Sequence, residues 1–187
     1  MSAKEYTEKI LEELSNNATY INDEQLTSLV EAILNAKHIF TAGAGRSGVA
    51  MQGFTNRLMH LGLSVSAVGE ITNPHTKEGD LLIIGSGSGE TESLVAMANK
   101  AKKNGVSIAL ITMDEDSSIG KLADVVVVLP GVSPKLKNKS IDITSIQPMG
   151  SAFEQISFLT YDGIILELMD RMKETSDSMF ERHADLE

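Results

Sequence analysis

Two glycine turns hold most of the side chains in this sequence that could do chemistry. Gly85 to Thr91, "GSGSGET", sets Ser86, Ser88 and Thr91 among glycines, directly after the apolar run "LLII" and ahead of "ESLVAMANKAKK". Hydroxyls and free backbone N–H groups gathered at a helix N-terminus are the equipment that binds a compact terminal phosphate. Three glycines and three hydroxyls are more than one N-cap requires. The other turn, "GAGRSG" from Gly43 to Gly48, follows "IFTA" and offers Gly45, Arg46 and Ser47 to the same anion. It is also literally G-x-G-x-x-G, the dinucleotide fingerprint, and Glu70 stands near the distance at which such a fold places a ribose-binding acid. That first turn alone leaves both readings open. The second turn favours a small phosphate ester, because a dinucleotide pyrophosphate would leave its hydroxyls without work. The candidate substrate-binding residues are therefore Gly45, Arg46 and Ser47 with Ser86, Gly87, Ser88, Gly89, Glu90 and Thr91.

Moving a proton on a bound ligand needs a carboxylate or an imidazole within hydrogen-bond reach. Glu154 is the first candidate, in the opening turns of a helix introduced by "QPMGSAFEQ", although an acid there also suits the helix dipole. Glu70, at the tip of the second strand, is the rival. His60 ends the helix that begins in the first glycine turn, and His183 lies in the tail, where a frayed terminus is the plainer reading. His38 and His75 read as structural or solvent-facing. The four histidines lack metal-ligand spacing and cysteine is absent, so metal, disulfide and thiol chemistry lose support.

These residues need a scaffold that delivers two loops and a helix start to one place. Apolar residues at helical intervals over Ala3 to Leu14 and Asp23 to Leu34, with Asp23 as N-cap, predict two leading helices. Short apolar runs follow at "HIFTA", "LSVSAV", "DLLIIG", "VSIALIT" and "DVVVVL", separated by stretches that can be helical. The alternation predicts an α/β fold, one three-layer doubly wound domain over residues 1–187 with a five-stranded parallel sheet and helices on both faces. Ligands in such folds sit outside the carboxyl ends of the strands. After Pro130 a long connection carries Lys135, Lys137 and Lys139, either as a solvated loop or facing substrate. A long apolar helix is expected from Pro148 to about Met172, and "SDSMFERHADLE" suits a last short helix.

A formal charge of -10 opposes binding to nucleic acid or an anionic membrane surface, both of which need a basic face. The apolar stretches are too short or too interrupted to span a bilayer, and no basic-then-apolar leader opens the chain, so a cytoplasmic location is expected.

Taken together, "TAGAGRSG", "RLMHLG", "VGEITNP", "GSGSGETESL", "SSIGKLADVVV", "QPMGSAFEQ" and the terminal "RHADLE" resemble the sugar isomerase (SIS) domain proteins, most closely the branch that acts on 3-hexulose 6-phosphate. The likeness spans nearly the whole chain; family tails usually carry Asn where Asp185 stands. It implies interconversion of 3-hexulose 6-phosphate and fructose 6-phosphate, the step after formaldehyde condensation in the ribulose monophosphate pathway. The implied route is a cis-enediol formed without metal or redox cofactor. By the same resemblance Glu154 matches the family's acid and is the first choice of base, Glu70 stays the rival because related SIS isomerases use an acid from that region, and the family tail raises His183, which stands with His60 as a further catalytic candidate. The chain is then expected to be a homo-oligomer, most often a tetramer, whose tail brings His183 to a neighbouring subunit's site. Two alternatives stand beside it: an isomerase of another sugar phosphate, and a non-catalytic phosphosugar-sensing module, which would need the serine loop but not Glu154.

Overall fold

Alternation within the apolar runs decides which face of the sheet each side chain feeds. Ile39, Leu81, Ile83, Ala109 and Ile111 join one core, and Phe40, Ala42, Leu82, Ile84, Ile108 and Leu110 join the other, as the two-residue period of a strand demands. Both sets are apolar, so both faces must be covered. In the computed structural model, which describes residues 1–134, 136 and 143–186, the strands are β1 (Ile39–Gly43), β2 (Val65–Ala67), β3 (Leu81–Gly85), β4 (Ser107–Thr112) and β5 (Val125–Val128). All neighbours are parallel, in the order β2-β1-β3-β4-β5. Lys135, Lys137 and Lys139 lie outside the described residues.

The two faces are covered unequally. Helices α1 (Ala3–Ala18), α2 (Asp23–Asn35), α3 (Gly45–His60), α5 (Ser151–Met172) and α6 (Ser176–Phe180) send Leu14, Leu29, Phe54, Phe153 and Met179 into the first core. Among the described residues helix α4 (Glu92–Lys103) is the one that covers the second, with Leu94, Ala98 and Ala101. The leading pair also guards a sheet edge, for Gln25 Oε1 accepts from the Val128 N–H of β5 at 2.8 Å and so satisfies a group that would otherwise invite another strand. Among the described residues no helix is long and apolar enough to cross a membrane.

Several element boundaries differ from the sequence reading, among them β2, which is shorter than "LSVSAV", and α6, which ends at Phe180. Asp23 is not the N-cap of α2: Asn22, in extended conformation, accepts from Gln25 N–H, and Asp23 sits in the first turn. Helix α1 continues past Leu14 to Ala18 and buries Asn17. Helix α5 starts at Ser151, not Pro148, because Met149 takes a left-handed conformation (φ 52°) and turns the chain before the helix opens. It ends at Met172 as expected, where Lys173 is again left-handed and Glu174 N–H returns to the Met169 carbonyl at 2.9 Å.

Strand order fixes where a ligand can sit. The chain passes from β1 outward to β2, then returns across β1 to β3. The connections leave opposite sides at β1 and β3, and the crevice between their carboxyl ends opens where the two glycine turns lie.

Candidate active site

The first glycine turn is built by close approach. An added Cβ on Gly43 would stand 2.8 Å from Gly48 Cα, and one on Gly48 would stand 2.9 Å from the Gly43 carbonyl oxygen. Strand β1 and the first turn of α3 therefore touch backbone to backbone. Between them Gly45 adopts φ +58°, a left-handed conformation that costs glycine little. Arg46 and Ser47 follow on the first turn of α3 and line the crevice.

The second turn is tied down from behind. Ser86 N–H donates to the Ile111 carbonyl at 3.0 Å, while the Gly87 carbonyl accepts from Met113 N–H at 3.0 Å and from the Thr112 hydroxyl at 3.2 Å. These bonds occupy the outer side of the loop, leaving Ser86, Gly87, Ser88 and Thr91 to line the cavity. Among the described residues Ser88 Oγ accepts one bond, a long one from Glu90 N–H at 3.3 Å, so its hydroxyl proton is available to a ligand. Two of the sequence candidates are not in this lining. Gly89 (φ +60°) packs so closely on the following loop that an added Cβ would be 2.0 Å from Ser117 Oγ. Glu90 turns the same way, its carboxylate accepting from the N–H and the hydroxyl of Ser118, both at 2.8 Å. A carboxylate beside a phosphate would repel it, and here it is held on the far side of the loop.

Glu154 enters from the first turn of α5 and lines the same cavity of about 340 Å³. Its Oε2 accepts from Arg46 Nε at 2.5 Å. Helices α3, α4 and α5 all begin at this cavity, and all three lack a side-chain cap, whereas α1, α2 and α6 are capped by Ser2, Asn22 and Thr175. Each uncapped start leaves backbone N–H groups unsatisfied and a partial positive charge at the helix end. Three of them converge on hydroxyls and a guanidinium, which makes this cavity the candidate anion site of a chain of net charge -10. Part of this arrangement was open to sequence reasoning: Ala44 and Gly150, the N-cap positions of α3 and α5, have no side chain that can cap. Met113, Ser133, Met149 and Phe153 also line the cavity and carried no chemical signal.

The two catalytic histidine candidates are elsewhere in the chain. Helix α3 has 16 residues, about 24 Å at 1.5 Å per residue, so His60 at its end is far from Arg46 at its start. His60 is 3 % exposed, and its ring stacks on that of His183 with centroids 5.3 Å apart. Arg182 Nη1 donates to the His60 carbonyl at 2.8 Å, fastening the tail there. Burial foremost, then the positive charge of Arg57 and the neighbouring His183, pushes the His60 pKa below its ordinary value. Arg57 can only donate, so its 3.3 Å contact to His60 Nδ1 makes that nitrogen the acceptor and leaves the proton on Nε2. Both histidines line a second cavity of about 390 Å³ with Arg57, Asp162, Leu166 and Phe180. A single chain thus unites Glu154 with the second glycine turn, and His60 with His183, but does not unite the two pairs.

Glu70 is exposed in the turn after β2 and is not among the residues lining the cavity that holds Glu154. His38 bonds through its ring nitrogens to the hydroxyls of Ser64 and Ser66 and lies against Phe40, and His75 is exposed with Nδ1 at the Thr76 carbonyl. Among the described residues no group of three His, Cys, Asp or Glu could hold a metal.

Comparison with known proteins adds to this geometry. The SIS domain family model matches residues 32–156, which include both glycine turns and Glu154. A protein of Bacillus subtilis named 3-hexulose-6-phosphate isomerase is 49% identical over 187 residues, covering 100% of both chains. One of the same name from Mycobacterium gastri is 37% identical, covering 95% of this chain and 88% of its own. A crystal structure from Methanococcus jannaschii, for which a function of 3-hexulose-6-phosphate isomerase is inferred, superposes with a TM-score of 0.80 at 36% identity, covering 95% of this chain and 98% of that one.

Proposed function

The chain belongs to the SIS domain family, and from that premise we propose that it isomerises 3-hexulose 6-phosphate to fructose 6-phosphate, without a cofactor, as one SIS domain over residues 1–187. The observation that carries this reading is the convergence of three uncapped helix starts, Ser86, Ser88 and Thr91 on a cavity that also holds Glu154. The serine loop takes the phosphate. Glu154 then takes the proton from C2, the C–H electrons form the C2–C3 double bond, and charge develops on the oxygen at C3. The hydroxyl proton on O2 passes to O3, Glu154 returns its proton to C3, and the carbonyl stands at C2. Because Arg46 is hydrogen-bonded to Glu154, a donor is already beside the carbons on which that carboxylate acts, where it can stabilise the enediolate. The step belongs to the ribulose monophosphate pathway. A sensing module would keep the loop and have no use for the carboxylate.

The reading takes the protein as a cytoplasmic homo-oligomer, a tetramer by family resemblance. Helix α5 is apolar around most of its circumference, yet Phe158, Leu159 and Leu166 are exposed in the single chain, as are Val49 and Met59 on α3. A helix apolar all round is normally buried. Helices α3 and α5 both start at the phosphate cavity, and their later residues line the histidine cavity. A two-fold axis across this face runs the partner's helices the opposite way and brings its His60 and His183 toward this chain's Glu154.

The decisive experiment incubates the purified protein with fructose 6-phosphate and a formaldehyde-releasing 3-hexulose-6-phosphate synthase. Formaldehyde release that depends on both proteins is expected. No release with an active synthase, and no solvent deuterium entering fructose 6-phosphate, would remove the isomerase reading.

A further inference from the structure

The segment "SSIGKLADVVV" takes no part in the chemistry above, although its first residues, the turn from Ser117 to Gly120, press against the back of the phosphate loop. That turn is itself closely packed and hydrogen-bonded. Asp116 N–H is held by Asp114 Oδ1 at 3.0 Å, Gly120 N–H by Ser117 Oγ at 3.2 Å, and an added Cβ on Gly120 would be 2.0 Å from the Glu115 carbonyl oxygen. Ser117 and Ile119 are buried. This turn joins the phosphate loop through Ile119 N–H, which donates to the Gly89 carbonyl at 3.2 Å, through the packing of Gly89 against Ser117, and through the two bonds from Ser118 to the Glu90 carboxylate.

We infer that Glu90 is a positioning residue for phosphate recognition, acting through Ser118 and touching no substrate; the inference rests on the phosphate-binding role proposed for the loop. Glu90 lies between Ser88 and Thr91, the two hydroxyls that face the cavity from the start of α4. Its backbone N–H rests on Ser88 Oγ and its carboxylate is clamped on the opposite side. Anchoring Glu90 to a closely packed turn therefore fixes the directions in which Ser88 and Thr91 point before any ligand arrives, which lowers the ordering cost of binding. The recognition loop and its brace are 28 residues apart in sequence and meet because β3 and β4 are adjacent.

The test measures binding of inorganic phosphate by calorimetry, with KM and kcat for fructose 6-phosphate, in Glu90→Ala, Glu90→Gln, Ser118→Ala and the double variant. Loss of a carboxylate hydrogen bond should weaken phosphate binding and raise KM in Glu90→Ala by about tenfold, with kcat at saturation largely kept. Glu90→Gln, which can still accept from Ser118 N–H, should recover most of the loss, and adding Ser118→Ala to Glu90→Ala should cost nothing more. Should Glu90→Ala not fold, Glu90→Gln and Ser118→Ala carry the same comparison. Unchanged phosphate affinity and KM in a folded Glu90→Ala overturns the positioning role alone. So does additivity of the two substitutions, or a fall in kcat with KM unchanged. Failure of the wild-type chain to bind inorganic phosphate overturns the phosphate-site reading first, and the positioning role with it.

Discussion

Arg46 Nε donates to Glu154 Oε2 at 2.5 Å across 108 residues of sequence. The pair ties the first turn of α3 to the first turn of α5 at the mouth of the cavity, with Glu154 mostly covered and Arg46 largely exposed. A base and a cation so placed can share one reacting fragment: the carboxylate takes the proton while the guanidinium meets the oxygen that gains charge. Replacing Glu154 by Gln keeps the shape and a weaker bond to Arg46 but removes the proposed base. Turnover is expected to fall by roughly 10²- to 10⁴-fold, the size of a general-base contribution, with phosphosugar binding retained. Proton NMR in deuterium oxide checks it: wild type should exchange the transferred hydrogen with solvent and the variant should not. Unchanged turnover would pass the role to another group.

Ser88 offers its hydroxyl to the cavity and, among the described residues, has one long internal bond to lose. Ser88→Ala should therefore leave the fold intact and weaken phosphosugar binding by about 1 to 2 kcal/mol, the scale of a hydrogen bond to a charged group. Inorganic phosphate and sulfate should both compete with substrate in wild type. If neither competes and the variant binds normally, the loop is a packing turn.

The strands and both turns were legible because apolar runs and glycine spacing are local signals. Ile83 and Ile84 feed opposite cores simply by alternation. The contact of Glu90 with Ser118 is not legible in the same way: its neighbours in the loop face the cavity, and the pairing of β3 with β4 brings Ser118 within its reach. Met149 could not be foreseen, since a left-handed methionine has no sequence signature, and it shifts the start of α5 away from Pro148. The pairing of His60 with His183 depends on Arg182 fastening the tail, a contact across 122 residues that no periodicity encodes.

The glycines of the two loops should respond differently to a methyl group. At Gly89 an added Cβ meets Ser117 Oγ at 2.0 Å, whereas at Gly45 it meets nothing within 4 Å. Both have positive φ, so each alanine incurs about 1 to 2 kcal/mol of left-handed backbone strain. Gly89→Ala should lose an additional 1 to 3 kcal/mol or so from overpacking. Urea unfolding of the two variants measures the difference directly. Equal losses would mean that the Ser117 turn yields freely and does not brace the loop.

His60 links stability to pH. Burial and the Arg57 charge hold its pKa below the ordinary 6.5 in the folded chain. As pH falls through 6.5 the unfolded chain gains a proton that the folded chain resists, so stability declines with falling pH and levels off only below the folded pKa. Denaturant midpoints taken between pH 7.5 and 5 should drop, and His60→Gln should flatten that segment of the profile. A wild-type midpoint that rises on acidification would reverse the sign and refute the assignment.

The last prediction concerns the site that one chain leaves divided. Glu154 stands at the start of the α3 and α5 pair, while His60 and His183 lie together at the far end of α3. If the exposed apolar stripe of α5 joins two copies in opposite senses, each site takes its carboxylate from one subunit and its histidines from the other. Glu154→Gln and His183→Ala should then each be inactive alone, yet regain part of the wild-type activity when unfolded together and refolded, because some mixed interfaces pair an intact base with an intact tail. Subunit exchange is followed independently with an affinity tag on one variant. In a two-subunit interface, random mixing makes half of the interfaces mixed and gives each of those one fully intact site, so the ceiling is about a quarter of wild-type activity, as closed two-fold symmetry requires. Activity no greater than the sum of the parents, with exchange confirmed, would place His183 in its own subunit's chemistry or in none.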